Sequence, residues 1–205
     1  MKIPTLPEAQ RLLDEAHARN PGPWRAHSIN VGRAAQYIAQ ATQSTLKLDP
    51  AICLILGMLH DIGRREGVTG MRHIYDGYQF LQTLGYDDAA RICLTHSLPD
   101  RNLKAVFGGW DCSPDEMAFI EQYLVQCVYD DYDRLLQLCD AIAMDIGFVL
   151  IEKRLVDVIL RYGGTNSHTL SKIHEYFALQ TYFSRHIGAS IYSVLPGVIE
   201  TTFER

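Results

Sequence analysis

The sequence has no CxxC pair, no apolar run of the roughly 18 residues that a membrane span needs, and no surplus of positive charge. Each absence excludes something. The five cysteines, Cys53, Cys93, Cys112, Cys127 and Cys139, are scattered, mostly through apolar helical stretches, and read as reduced core thiols rather than a disulfide framework. A net charge of −5 over 205 residues leaves no broad phosphate-tracking surface, so extended nucleic acid is not an expected partner. A small anionic substrate needs local positive charge instead. The segment MKIPTLPEAQRLLDEA lacks the apolar run of a signal peptide, which makes the cytoplasm the expected location and a membrane an unexpected partner.

Strand-like alternation is also missing, whereas apolar residues recur every three to four positions between Pro, Gly, Asp and Ser. The expected fold class is all-α, a helical bundle forming a single domain over 1–205. Helices are predicted from about Pro7 to Ala18 and from about Trp24 to Thr42. Asp49-Pro50 has the form of an N-cap and first helical residue for the apolar run AICLILGMLHD, which stops near Gly63. Further helices are expected from His73 to before Gly85 and from Asp87 to His96. Ser113-Pro114-Asp115-Glu116 reads as a capping box, and helices follow from about Asp133 and from about Ile146 to Tyr162. The last fifth, from Thr165, is helical and aromatic-rich, and the tail from Gly188 is ambiguous.

Against this apolar background a few polar residues stand out. His60-Asp61 closes a helix that is otherwise apolar, and polar groups buried there need a partner. A metal ion serves, because neutral imidazole and carboxylate are both ligands for first-row metals. A capped helix end is the plainer alternative. His27 shares a stripe with Val31, Ala34 and Ile38, Asp140 lies one turn beyond Leu136, His73 opens a helix and His96 closes the next. Each alone has an ordinary structural explanation. The ordered series at helix ends and on buried faces is what points to a metal.

In these residues the sequence resembles the HD superfamily of metal-dependent phosphohydrolases, of the HDIG type, through His27, His60-Asp61-Ile62-Gly63 and Asp140 in that order. The likeness runs from about Trp24 to Tyr162 and implies an HD metal-binding core over 24–162 with a C-terminal helical extension over 165–205. It implies that His27, His60, Asp61 and Asp140 bind metal, that His73 and His96 serve a second ion, and that Asp61 bridges the two. The implied cofactor is a pair of divalent transition-metal ions, iron or manganese first, with zinc, cobalt and nickel also suited to these ligands. The implied reaction is attack of a metal-activated water on a phosphoester or phosphoanhydride. The nearest subgroup is the bacterial symmetrical diadenosine tetraphosphate hydrolases, where a Lys typically follows the His-Asp pair and this chain has Arg64-Arg65.

Asp61, Arg64 and Arg65 are thus the candidate catalytic residues, the arginines stabilising phosphoryl charge or else standing as solvated loop residues. The stretch from Ser97 to Cys112 is long for a connection and is a candidate substrate loop, with Arg101, Lys104 and Asn102 available for a second phosphate or a ribose and Trp110 for a base. The expected partner is a small phosphorylated substrate, nucleotide-like, and a homo-oligomer is open. Two rivals share the motif: an HD-type di-iron oxygenase, and a regulatory module that keeps the metal pocket without catalysis. His17, His168, His174 and His186 fall outside the series and are read as surface or packing residues. Tyr162, Tyr176, Phe177, Tyr182 and Phe183 are read as core or as a dimer surface, with no chemistry assigned.

Overall fold

A computed structural model describes residues 1–203. Ten helices occur among them: α1 Leu6–Arg19, α2 Trp24–Ala41, α3 Pro50–Leu59, α4 Arg72–Thr83, α5 Asp87–Thr95, α6 Pro114–Gln126, α7 Asp131–Asp140, α8 Ile151–Tyr162, α9 Thr169–Ile187 and α10 Val198–Phe203. Two short 3₁₀ turns, Ile62–Glu66 and Ile191–Val194, complete the helical content. The fold is all-α, as the apolar spacing implies. None of these helices is long and apolar enough to cross a membrane.

Local chemistry accounts for several boundaries. Asp49 accepts hydrogen bonds from the backbone of Ala51 and Ile52, at 2.8 and 3.3 Å, and Pro50 needs no such partner, so α3 starts there. The Ser113–Glu116 capping box opens α6. Two boundaries differ from expectation. α7 starts at Asp131, because Asp130 and Asp133 form a second capping box, Asp130 accepting from the Asp133 backbone and Asp133 from that of Asp130. α8 starts at Ile151 and not near Ile146. A two-residue hairpin, β1 Ala143–Met144 against β2 Gly147–Phe148, intervenes, too short to leave any alternation in the sequence. The tail beyond Gly188 resolves into the second 3₁₀ turn and α10.

α2 and α3 form the closest helix pair, and the reason is glycine on both sides of the contact. A Cβ on Gly57 would lie 2.4 Å from the Gly32 Cα, so only two glycines allow the backbones to meet. One apolar core runs from Leu13 on α1 through Ile38, Leu56 and Leu136 to Phe183 on α9. Full burial of a side chain such as Phe183 is worth about 1.5–3 kcal/mol, and this holds the C-terminal helices against α2 and α7. A second cluster, around Ile74, Leu94, Leu98 and Ile120, lies beneath α6. Cys53, Cys93 and Cys139 are buried free thiols, and Cys112 and Cys127 are half-buried and also unpaired.

Candidate metal centre

The helix pairing collects five helix ends at one place. His27 is in the first turn of α2, His60 and Asp61 follow the end of α3, His73 is in the first turn of α4, His96 follows α5 and Asp140 ends α7. A second close approach sets the register of α4. A Cβ on Gly63 would stand 2.0 Å from the His73 carbonyl oxygen and 2.4 Å from the Gly77 nitrogen, both backbone atoms that cannot step aside. Gly63→Ala should therefore separate the 3₁₀ turn from α4 and cost about 3 kcal/mol or more. Urea unfolding checks the stability loss, and metal titration should show weakened binding. An unaltered midpoint would contradict the role given to this contact.

All six side chains of the series converge. His73 Nε2 stands 3.2 Å and His96 Nε2 3.6 Å from Asp61 Oδ1, while His60 Nε2 lies 3.9 Å from Asp61 Oδ2 and 3.8 Å from Asp140 Oδ1. His27 Nε2 meets Asp140 Oδ1 at 3.0 Å. Two groups have ligand atoms close enough to share one ion, His27 with His60 and Asp61, and Asp61 with His73 and His96. Asp61 belongs to both. Asp140 borders the first through His27 and His60. All but Asp140, which is half-buried, are buried.

The tautomers make the case for a cation. His60 Nδ1 donates to the Gly57 carbonyl at 2.7 Å, His73 Nδ1 to Gly70 at 2.6 Å and His96 Nδ1 to Ile92 at 3.1 Å. With Nδ1 donating to a carbonyl, each ring turns Nε2 towards the carboxylates, which is how a metal-ligating histidine is set up. Burial drives the pKa of His96 down to about 3, so its ring is neutral near pH 7. Burial works against ionisation of Asp61, but the Arg64 guanidinium beside it holds the carboxyl well below its usual range. Lone pairs therefore face lone pairs. Among the described residues, His60 Nε2 and Asp61 Oδ1 are buried without any hydrogen bond, a costly state that a divalent ion relieves.

A buried ion pair aligns two of the helices that end here. Asp133 on α7 is paired with Arg91 on α5 and accepts from Thr95 Oγ1 at 2.8 Å, and Gln137 Nε2 donates to the Thr95 carbonyl at 3.0 Å. Thr95 adjoins His96, and Asp140 is two turns beyond Asp133. Asp133→Ala removes the buried partner of Arg91, leaving it the more exposed Asp130 at 3.2 Å, and also removes the acceptor for Thr95, so it should cost about 3 kcal/mol, with weaker metal binding because α5 and α7 lose their register. Chemical denaturation together with metal titration checks both, and full metal affinity in a destabilised variant would show that the pair does not position the site.

The cluster opens onto a cavity of about 480 Å³ whose wall includes Trp24, Phe107, Tyr162 and Tyr176. Arg64 reaches it, its Nε donating to Asp61 Oδ2 at 2.6 Å. Arg65 does not. Its guanidinium lies 3.8 Å over the Phe80 ring, away from the cavity, because adjacent residues of a 3₁₀ turn point in different directions. Arg101, Lys104 and Trp110 also lie outside. Arg101 covers the Tyr129 ring at 4.3 Å, Lys104 is exposed, and the Trp110 indole donates inward to the Leu103 carbonyl at 2.7 Å. The same loop instead contributes Ser97 and Phe107. A further part of the wall comes from α8 and α9, with Arg154, Arg161, Tyr162, Lys172 and Tyr176, so Tyr162 and Tyr176 belong to the cavity as well as to the packing. A signal for Lys172 existed: it falls on the buried stripe Thr169, Tyr176, Leu179 and Phe183, where a lysine is out of place. His17, His168, His174 and His186 line no part of the cavity.

An all-helical fold with a buried His/Asp cluster at converging helix ends defines a class of metal-binding helical domain. The family model described as "HD domain" matches residues 24–145, more than half of the chain, and the protein belongs to the HD domain family. HD domains bind divalent metals and are commonly metal-dependent phosphohydrolases, although some are not catalytic. No curated protein and no solved structure gives a significant match.

Proposed function

We propose that the chain is a metal-dependent phosphohydrolase acting on a small, nucleotide-like phosphoester or phosphoanhydride. The observation that carries this reading is the pair of ligand groups sharing Asp61 at the floor of a cavity whose wall is rich in cations, Arg64, Arg154, Arg161 and Lys172. His27, His60, Asp61 and Asp140 would hold one divalent ion, and Asp61, His73 and His96 a second, iron or manganese first. Bound there, such ions supply Lewis acidity that polarises phosphoryl oxygen and brings the pKa of a water towards neutrality.

The chain's own residues do the rest. The backbone carbonyls of Gly57, Gly70 and Ile92 fix the ring orientation of His60, His73 and His96. Arg64, anchored on Asp61, keeps its terminal nitrogens beside the reacting group, where they stabilise charge on phosphoryl oxygen. The aromatic wall excludes water and offers faces to a base or another flat group. Lys172 and Tyr176 on α9 form part of that wall, which supports one working domain in which the core over 24–162 is completed by the extension over 165–205.

The test is hydrolysis by iron- or manganese-loaded protein across nucleoside mono- and triphosphates, cyclic nucleotides and dinucleoside polyphosphates, diadenosine tetraphosphate included. Phosphate release with at least one of them is expected. Oxygen consumption with substrate oxidation and no phosphate release would turn the reading to a di-iron oxygenase, and a metal-loaded protein inert in both assays to a regulatory module.

A further inference from the structure

Four cations line the cavity among the described residues, and three of them are matched. Arg64 is bound to Asp61, and Arg154 and Arg161 share Asp157, at 3.2 and 2.9 Å. Lys172 is different. It is 3% exposed, and among the described residues its ammonium makes neither a hydrogen bond nor an ion pair. Two aromatic rings lie beside it, with Nζ 5.2 Å from the centre of the Phe107 ring and 5.9 Å from that of Tyr176, while Asp140 and Asp100 attract it without pairing with it.

Ring faces attract a cation but accept none of its three N–H donors as an anion would. Burial lowers the Lys172 pKa to about 8, which leaves the amine mostly protonated at pH 7. A buried charge without a directly bound counter-ion is costly, and here it lines an open cavity and not packed core. An ammonium acts as a compact point charge, and a phosphate monoester, with close to two negative charges near pH 7, attracts it more strongly than a singly charged carboxylate does. The loop residues expected to take a second phosphate, Arg101 and Lys104, point elsewhere, and the position is filled from α9.

We propose that Lys172 recognises a second phosphate of the substrate, so that the site favours small molecules with two separated phosphate groups, one at the metal-ligand cluster and one at α9. This rests on the phosphohydrolase reading and narrows its substrate class. Phe107 and Tyr176 flank the second phosphate and hold the ammonium in place.

The experiment uses probes that cannot be cleaved. Propane- to hexane-α,ω-bisphosphonates and the matched alkylphosphonates are titrated calorimetrically into manganese-loaded wild type, Lys172→Met and Lys172→Gln, with folding verified by circular dichroism. At one or more chain lengths the bisphosphonate should bind wild type about 10–100-fold tighter than its monophosphonate, the range expected for hydrogen bonds to a charged group. In either variant that preference should fall to about threefold or less, with monophosphonate binding unchanged. Equal binding of both probe types, or equal weakening of both by the substitutions, overturns the assignment while leaving intact a protein that cleaves phosphoesters. No phosphonate binding together with no phosphoester cleavage overturns the phosphohydrolase reading, and this assignment with it.

Discussion

Asp61→Ala is expected to abolish phosphoester hydrolysis, lowering kcat by about a thousandfold or more, because the shared ligand of both groups is lost and several kcal/mol of electrostatic stabilisation goes with the ions. Bound metal should fall in parallel. The comparison is with His186→Ala, a histidine that packs beside Tyr182 at a ring distance of 4.6 Å and lines no part of the cavity. Steady-state kinetics and elemental analysis on equally folded proteins check this. Full activity in the Asp61 variant would remove the carboxylate from the chemistry, and loss in both variants would point to a general effect on folding.

The second large effect is thermal. The metal-free cluster buries lone pairs against one another, and an ion that binds only the folded chain stabilises it by mass action. At about a thousand times its Kd, manganese should add ~4 kcal/mol. For a chain of this size that corresponds to about 8–16 °C in Tm. In His60→Ala, where a fully buried ligand is gone, most of the shift should vanish. The shift should also shrink as the solution is acidified, since a protonated imidazole cannot ligate. Scanning calorimetry with and without manganese measures it, and an identical Tm in both states would argue that nothing metal-like belongs in the cluster.

Much of the site was legible in the sequence because its logic is one of misplaced polarity. A His-Asp pair ending an apolar helix, a histidine on the stripe of Val31 and Ile38, and an aspartate one turn beyond Leu136 are all costly unless they meet, and they do meet. What the pattern lacked was the third dimension. The contacts of Gly57 with Gly32 and of Gly63 with His73 and Gly77 set the helix registers, yet a glycine within a helix looks like a weakness until its neighbour is known. Asp133 read as a helix start, and its buried pairing with Arg91 depends on α5 lying beside α7.

The cavity wall was read least well, for a physical reason. Nearness along the chain suggested Arg65, Arg101, Lys104 and Trp110, but the 3₁₀ turn points Arg65 towards Phe80, and the loop folds its indole onto its own backbone. Part of the wall, with three of its four cations, is built instead by helices from beyond the matched region, far from the motif in sequence. Lys172 was missed although it sits on an otherwise apolar stripe, the one departure from helical patterning that could have marked this wall. The hairpin at Ala143–Phe148 escaped because two residues per strand carry no periodicity.

The most direct test of the metal centre is a crystal of manganese-loaded protein with data collected for the anomalous signal of that metal. Two peaks on either side of Asp61 are predicted, one against His27, His60 and Asp140 and the other against His73 and His96. Anomalous density only at surface carboxylates, with the six side chains still as close as they are here, would contradict it.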